Sequence, residues 1–99
     1  MLELHITPVA VKDLNKIKQF IADDSEIVAE KTVQEILKQF ELLTLFPNMG
    51  SLLEKRVTFR TNYRYLVVEN YIVLYKVTKN YVEIYRVINR YQDITKILE

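Results

Sequence analysis

Apolar and polar residues alternate at the start of the chain, Leu2-Glu3-Leu4-His5-Ile6. A period of two is what a strand buried on one face requires. Thr7-Pro8 ends it. A threonine can accept from the unpaired amides of a first helical turn, and proline at the first helical position lacks the N–H that would be orphaned there. Ala10, Leu14, Ile17 and Ile21, with Phe20 alongside, then fall on one helical stripe, while Lys12, Asn15, Lys16 and Lys18 take the other side. The spacing predicts a first helix with those five apolar residues inward.

Asp23-Asp24-Ser25-Glu26 breaks the pattern and restarts it. Asp23 with Glu26 has the spacing of a capping box, and acids suit the positive end of a helix dipole. A second helix follows, with Ala29, Val33, Ile36, Leu37, Phe40 and Leu43 on one side. It is expected to end near Phe46, where Pro47-Asn48-Met49-Gly50 supplies turn chemistry. So short a connection makes the two helices an antiparallel hairpin, with Leu37 and Phe40 toward whatever it covers.

Beyond a connection at residues 51–58 the period changes. Residues 60–68, 71–77 and 82–88 are short runs rich in Tyr, Val and Ile. Glu69-Asn70 leaves two residues for the first turn, and residues 78–81 make the second. An antiparallel meander of this kind needs a cover over one face, which the helical hairpin provides. The opposite face is expected to be open. Alternation puts Val82, Ile84, Arg86 and Ile88 on one side of the last strand, and Glu83, Tyr85, Val87 and Asn89 on the other. Ile94, Ile97 and Leu98 at helical spacing predict a short helical tail within residues 90–99. The expected architecture is α+β, in the order β-α-α-β-β-β, as a single domain over residues 1–99. Ninety-nine residues at 49% hydrophobic content suit one small core and not a disordered chain.

Charge divides the chain more sharply than the total of +1 suggests. Residues 1–50 hold five basic and eight acidic residues, and residues 51–99 hold nine basic and five acidic. All five arginines (Arg56, Arg60, Arg64, Arg86, Arg90) and all seven tyrosines lie in the second part. Arg and Tyr are enriched where proteins grip partners or phosphates. Tyr is also a good strand former, and Arg keeps strand faces soluble. Cysteine is absent and His5 is the only histidine, so no cofactor and no metal is expected, and His5 is read as an exposed or edge residue of the first strand. Gly50 is the only glycine, which leaves no phosphate-binding glycine loop. No apolar run or basic-apolar leader suggests a membrane or secreted protein, and a cytoplasmic location is expected. The chemistry left is Lys55, Arg56, Arg60, Arg64, Arg86, Arg90, Tyr91 and Asp93. Such a set can stabilise a pentacovalent phosphate without a metal, or hold an acidic peptide or nucleic-acid backbone without chemistry.

The order of elements and several local words resemble the RelE/ParE superfamily of bacterial type II toxin–antitoxin toxins over nearly the whole chain. They are Thr7-Pro8-Val9-Ala10 with Asp13-Leu14, Ile17 and Phe20-Ile21; Leu45-Phe46-Pro47 with Gly50; Arg64-Tyr65-Leu66-Val67-Val68; residues 71–77; and Ile84-Tyr85-Arg86-Val87-Ile88 with Asp93. The resemblance implies a small growth-arresting toxin neutralised by a cognate antitoxin, in a complex that could be a heterotetramer. One branch of the superfamily cleaves mRNA on the ribosome and the other poisons DNA gyrase. The nuclease branch commonly carries basic residues on the strand before the middle one, an Arg directly after the middle-strand Tyr, and an Arg or His plus a Tyr near the C-terminus. Here those positions read Tyr63 and Tyr65, Ile72, and Asn89 and Gln92, with no Tyr after Tyr91. This favours the gyrase-directed branch narrowly. A ribosome-dependent, metal-independent endoribonuclease using Arg64, Arg86, Arg90 and Tyr91 is the alternative, and a non-toxic interaction module is the second. On the binding reading, Lys55, Arg56, Arg60, Arg64, Arg86 and Arg90 contact the target or antitoxin.

Overall fold

The computed structural model describes residues 1–98; Glu99, the last residue of the expected tail, lies outside them. Strand β1 (Glu3–Ile6) leads into helix α1 (Pro8–Ala22), and helix α2 (Glu26–Leu45) returns alongside it. Thr7 caps α1 by accepting from the Ala10 amide at 3.1 Å, and its hydroxyl donates to the Tyr85 carbonyl at 2.8 Å. One side chain thus starts the helix and ties it to the sheet. Ser25 caps α2, accepting from the Val28 amide, where a capping box from Asp23 was expected. The backbone explains the difference. Ser25 is extended (φ −157°, ψ 115°), as a cap must be, whereas Asp23 is still helical (φ −58°, ψ −32°) and closes α1 by donating its amide to Gln19.

The remaining elements are β2 (Ser51–Leu52), a 3₁₀ turn (Leu53–Lys55), β3 (Arg64–Val68), β4 (Tyr71–Val77), β5 (Tyr81–Asn89) and a five-residue helix α3 (Ile94–Leu98). Residues 60–63, expected to be in β3, precede it, and the short β2 arises inside the expected connection. The strands form one five-stranded sheet in the order β1-β5-β4-β3-β2. All pairings are antiparallel except β1 with β5, where Glu3 to Ile6 lie beside Tyr81 to Ile84. The chain's first and last strands are therefore neighbours.

The hairpin covers one face of the sheet. Ile17, Ile36, Phe40 and Leu43 pack there on Val73, Tyr75, Val82, Ile84 and Val87. Phe40 is wholly buried and Leu37 packs against the same cluster, as expected. Phe20 departs from the expected stripe and is 77% exposed at the end of α1, while Asp13 takes a buried position. The other sheet face is closed too, not open. Leu53, Ile72, Leu74 and Ile88 form a second buried cluster under Tyr63, Tyr65, Tyr85 and the α3 residues Ile94, Ile97 and Leu98. A bulge divides β5 between the two clusters. Leu74 pairs with Arg86 and Tyr75 with Ile84, which leaves Tyr85 as the extra residue. Past it, simple alternation no longer holds: Val87 joins Val82 and Ile84 under the helices, and Ile88 goes to the opposite face. No helix among the described residues is long and apolar enough to cross a membrane.

Candidate functional site

The five arginines do not form a single cluster. Arg86 leaves β5 beside the bulge and meets Asp13 of α1 in a two-pronged ion pair, Nε to Oδ2 at 2.8 Å and Nη2 to Oδ1 at 3.0 Å. The Val87 amide donates to the same Oδ2 at 3.0 Å. Both carboxylate oxygens are satisfied, and the pair is largely shielded, with side-chain exposures of 24% for Arg86 and 10% for Asp13. The hydrogen bond to Asp13 raises the Arg86 pKa above its ordinary value, so the guanidinium is always charged. Two of its nitrogens hold helix to sheet and are not offered outward, which separates Arg86 from the other expected contact residues.

Arg64, at the start of β3, donates from Nη1 to the Gly50 carbonyl at 2.8 Å. The same glycine donates its amide to the Tyr75 hydroxyl, which in turn donates to the Pro47 carbonyl, both near 2.9 and 2.8 Å. Tyr75 is fully buried, and burial raises its pKa, keeping the phenol neutral and able to donate. Arg64 and Tyr75 together fix the turn from α2 into β2. A Cβ on Gly50 would stand 2.5 Å from the Tyr75 hydroxyl and 2.6 Å from the Tyr65 carbonyl, so only glycine fits.

Arg56 and Arg90 do come together. They face a recess of about 200 Å³ between the 3₁₀ turn and α3, floored by Val57, Ile72 and Ile94, with Asp93 and Thr95 at its edge. The Arg56 guanidinium lies 5.1 Å from the Tyr65 ring centre and that of Arg90 lies 6.0 Å from the Tyr91 ring. Tyr91 itself is exposed. Asp93 is not a general base in waiting. Its carboxylate accepts from the Thr95 hydroxyl and amide at the start of α3, and these bonds lower its pKa below the ordinary carboxylate value. Lys55 and Arg60 are exposed on the same stretch of chain, residues 55–60. His5, on β1 at the sheet edge, stacks on Tyr81 with ring centres 4.2 Å apart. No group of three or more metal-ligating side chains occurs among the described residues.

Three relationships escaped the sequence reading. The Asp13–Arg86 pair joins residues 73 positions apart, but an acid on the core stripe of α1 is a visible signal that a partner must exist. The Tyr75–Gly50 bond had no local signal. The meeting of Arg56 with Arg90 depends on how α3 folds back.

The arrangement suits grasping an acidic or phosphate-bearing surface: two arginines, each beside a tyrosine ring, on a shallow recess. Arg64 lies opposite Tyr75 on one side of β4 and the Arg90 amide donates to the Asn70 carbonyl on the other, so the two are offset by about 16 Å along the strand direction.

Solved structures share this fold. The fold matches a structure titled "Chromosomal ParDE TA system from P. aeruginosa" with TM-score 0.73 and 24% identity, over 90% of this chain and 96% of that one. It also matches "Crystal structure of E.coli DinJ-YafQ complex" with TM-score 0.54 and 14% identity, over 91% and 94%. No curated protein sequence gives a significant match. Residues 4–94 match the model of the family described as the ParE toxin of type II toxin–antitoxin system, parDE. The chain belongs to the ParE toxin family of type II toxin–antitoxin systems.

Proposed function

We propose that this chain arrests growth by binding DNA gyrase through the surface bearing Lys55, Arg56, Arg60, Arg64 and Arg90, and that a cognate antitoxin neutralises it. Family membership implies the antitoxin. The observation that carries the gyrase reading over the nuclease one is the closure of Arg86 onto Asp13. A ribonuclease built on Arg64, Arg86, Arg90 and Tyr91 needs those groups around one scissile phosphate, since each displaced charge forfeits transition-state stabilisation. Here one is committed to a structural pair and two others are set at different ends of β4. A binding surface has no such demand: dispersed cations still steer an acidic partner and set its register.

The test is a supercoiling assay with purified gyrase and the purified chain, beside an mRNA cleavage assay on translating ribosomes. Lost supercoiling with intact mRNA supports the reading. Unaffected gyrase with cleaved mRNA replaces it with the nuclease alternative, and inertness in both assays points to a non-toxic interaction module. Co-expression with the product of the adjacent reading frame tests neutralisation and the stoichiometry, for which a heterotetramer is the expected form.

A further inference from the structure

One end of the helical hairpin carries a charge pattern that the proposed target surface does not use. On α1, Lys12, Lys16 and Phe20 are exposed along one flank at helical spacing. Immediately after the helix come the exposed acids Asp23, Asp24 and Glu26, then Ile27, 69% exposed, and Val28. Among the described residues none of these charged side chains forms an ion pair, although the nearby Lys18 is paired with Glu30 at 3.6 Å. Phe20 and Lys16 line a recess of about 320 Å³ together with Ile17, Tyr71 and the Asp13–Arg86 pair. Basic turn, aromatic residue and acidic turn thus follow one another in the sequence, the acids lying just beyond the end of α1 at Ala22.

Such an order is complementary to itself when reversed. Lys16 precedes Phe20 by four residues, about 6 Å at the helical rise, and Asp24 follows it by four. Two α1 helices laid antiparallel about an axis through Phe20 bring the cationic turn of each onto the acidic turn of the other. A two-fold contact has this property by construction, because residue i meets j and j meets i. We propose that two copies of this chain associate through α1 about a two-fold axis near Phe20, with Lys16 of each copy opposite Asp24 of the other and each Phe20 ring at the mouth of the other's recess. A second copy is the occupant because both halves of the complementary pattern are present in one chain. The apolar part is centred on one exposed ring per copy, so the contact falls in the small, transient class. It is independent of the gyrase reading, since it uses neither Arg56 nor Arg90.

Sedimentation velocity on the purified chain, from about 10 μM to about 1 mM, covers the range expected of a transient contact. The wild type is expected to shift from monomer toward dimer with concentration, less so at high salt. Lys16→Glu or Asp24→Lys alone puts like charges together and is expected to weaken association about tenfold or more. The double variant restores attraction and is expected to return within about threefold of wild type, because the coupling is pairwise. Phe20→Ser weakens association without changing the melting temperature, which serves as the folding control. A wild type that stays monomeric at the top concentration overturns the proposal. So does a double variant no better than its singles, or association that survives all three single changes.

Discussion

Asp13 of α1 and Arg86 of β5 bind each other through Nε and Nη2 of the guanidinium, and the Val87 amide donates to the same carboxylate. This pair sits where the hairpin crosses the last strand, beside the bulge at Tyr85. It does the work of a core contact with polar groups. Removing one partner strands the other, and that asymmetry governs what substitution does.

Asp13→Ala leaves the Arg86 charge and the Val87 amide without their acceptor, and is expected to lower unfolding free energy by about 3 kcal/mol. Asp13→Leu with Arg86→Met replaces both charges by apolar groups and should recover the part of that loss due to the stranded charge, the Val87 amide still lacking its acceptor. Urea denaturation of the wild type, Asp13→Ala and the double variant reads both numbers. A single variant as stable as wild type would show that the pair is a surface contact of little consequence.

Gly50→Ala is expected to destabilise by about 1–3 kcal/mol, the usual cost of forcing a methyl into a filled site. The Cβ would meet both the Tyr75 hydroxyl and the Tyr65 carbonyl. Tyr75→Phe in the same chain removes only the first clash, so the double variant stays destabilised. Thermal unfolding distinguishes this from a loop that simply yields, in which case Gly50→Ala melts like wild type.

Phe40 and Phe20 make a paired comparison. Phe40 is wholly buried between α2 and the sheet, and Phe40→Ala is expected to cost roughly 3–5 kcal/mol. Phe20→Ala, at an exposed position, is expected to change stability by about 0.5 kcal/mol or less. Chemical denaturation of both variants checks the assignment of the two residues to opposite environments.

Stability should fall in alkali. Burial raises the pKa of Tyr63, Tyr71 and Tyr75 above 10.0, the ordinary tyrosine value. The unfolded chain then loses these protons at lower pH than the folded one, so their contribution is intact below pH 10 and declines as pH rises through the folded values. Unfolding free energies measured between about pH 9 and 11 should decline, and less steeply for Tyr63→Phe. Equal slopes for the two proteins would mean that Tyr63 is as well solvated folded as unfolded.

The helices and the meander were legible because each rests on a local pattern: 3.6-residue stripes containing Ile17 on α1 and Ile36 and Phe40 on α2, and short runs of Tyr, Val and Ile for the strands. The failures have non-local or conformational causes. Asp23 has the spacing of a cap but a helical backbone, so Ser25 takes the role. The alternation of β5 breaks at Tyr85, a bulge set by pairing with β4, and no residue type announced it. The second sheet face looked open because its cover is assembled from pieces far apart in sequence, Leu53, Tyr63 and Ile97. The arginines were visible as a group in composition. Their division into Arg86 inside and Arg56 with Arg90 outside depends on Asp13, more than 70 positions away.

The most direct measurement of the central claim is inhibition of gyrase supercoiling by Arg56→Ala/Arg90→Ala, compared with wild type at matched folded concentration. Both residues are exposed on the recess, so the variant should melt like wild type. The account predicts inhibition weakened at least about tenfold, as expected when two contact cations are lost. Undiminished inhibition by a folded variant would contradict it.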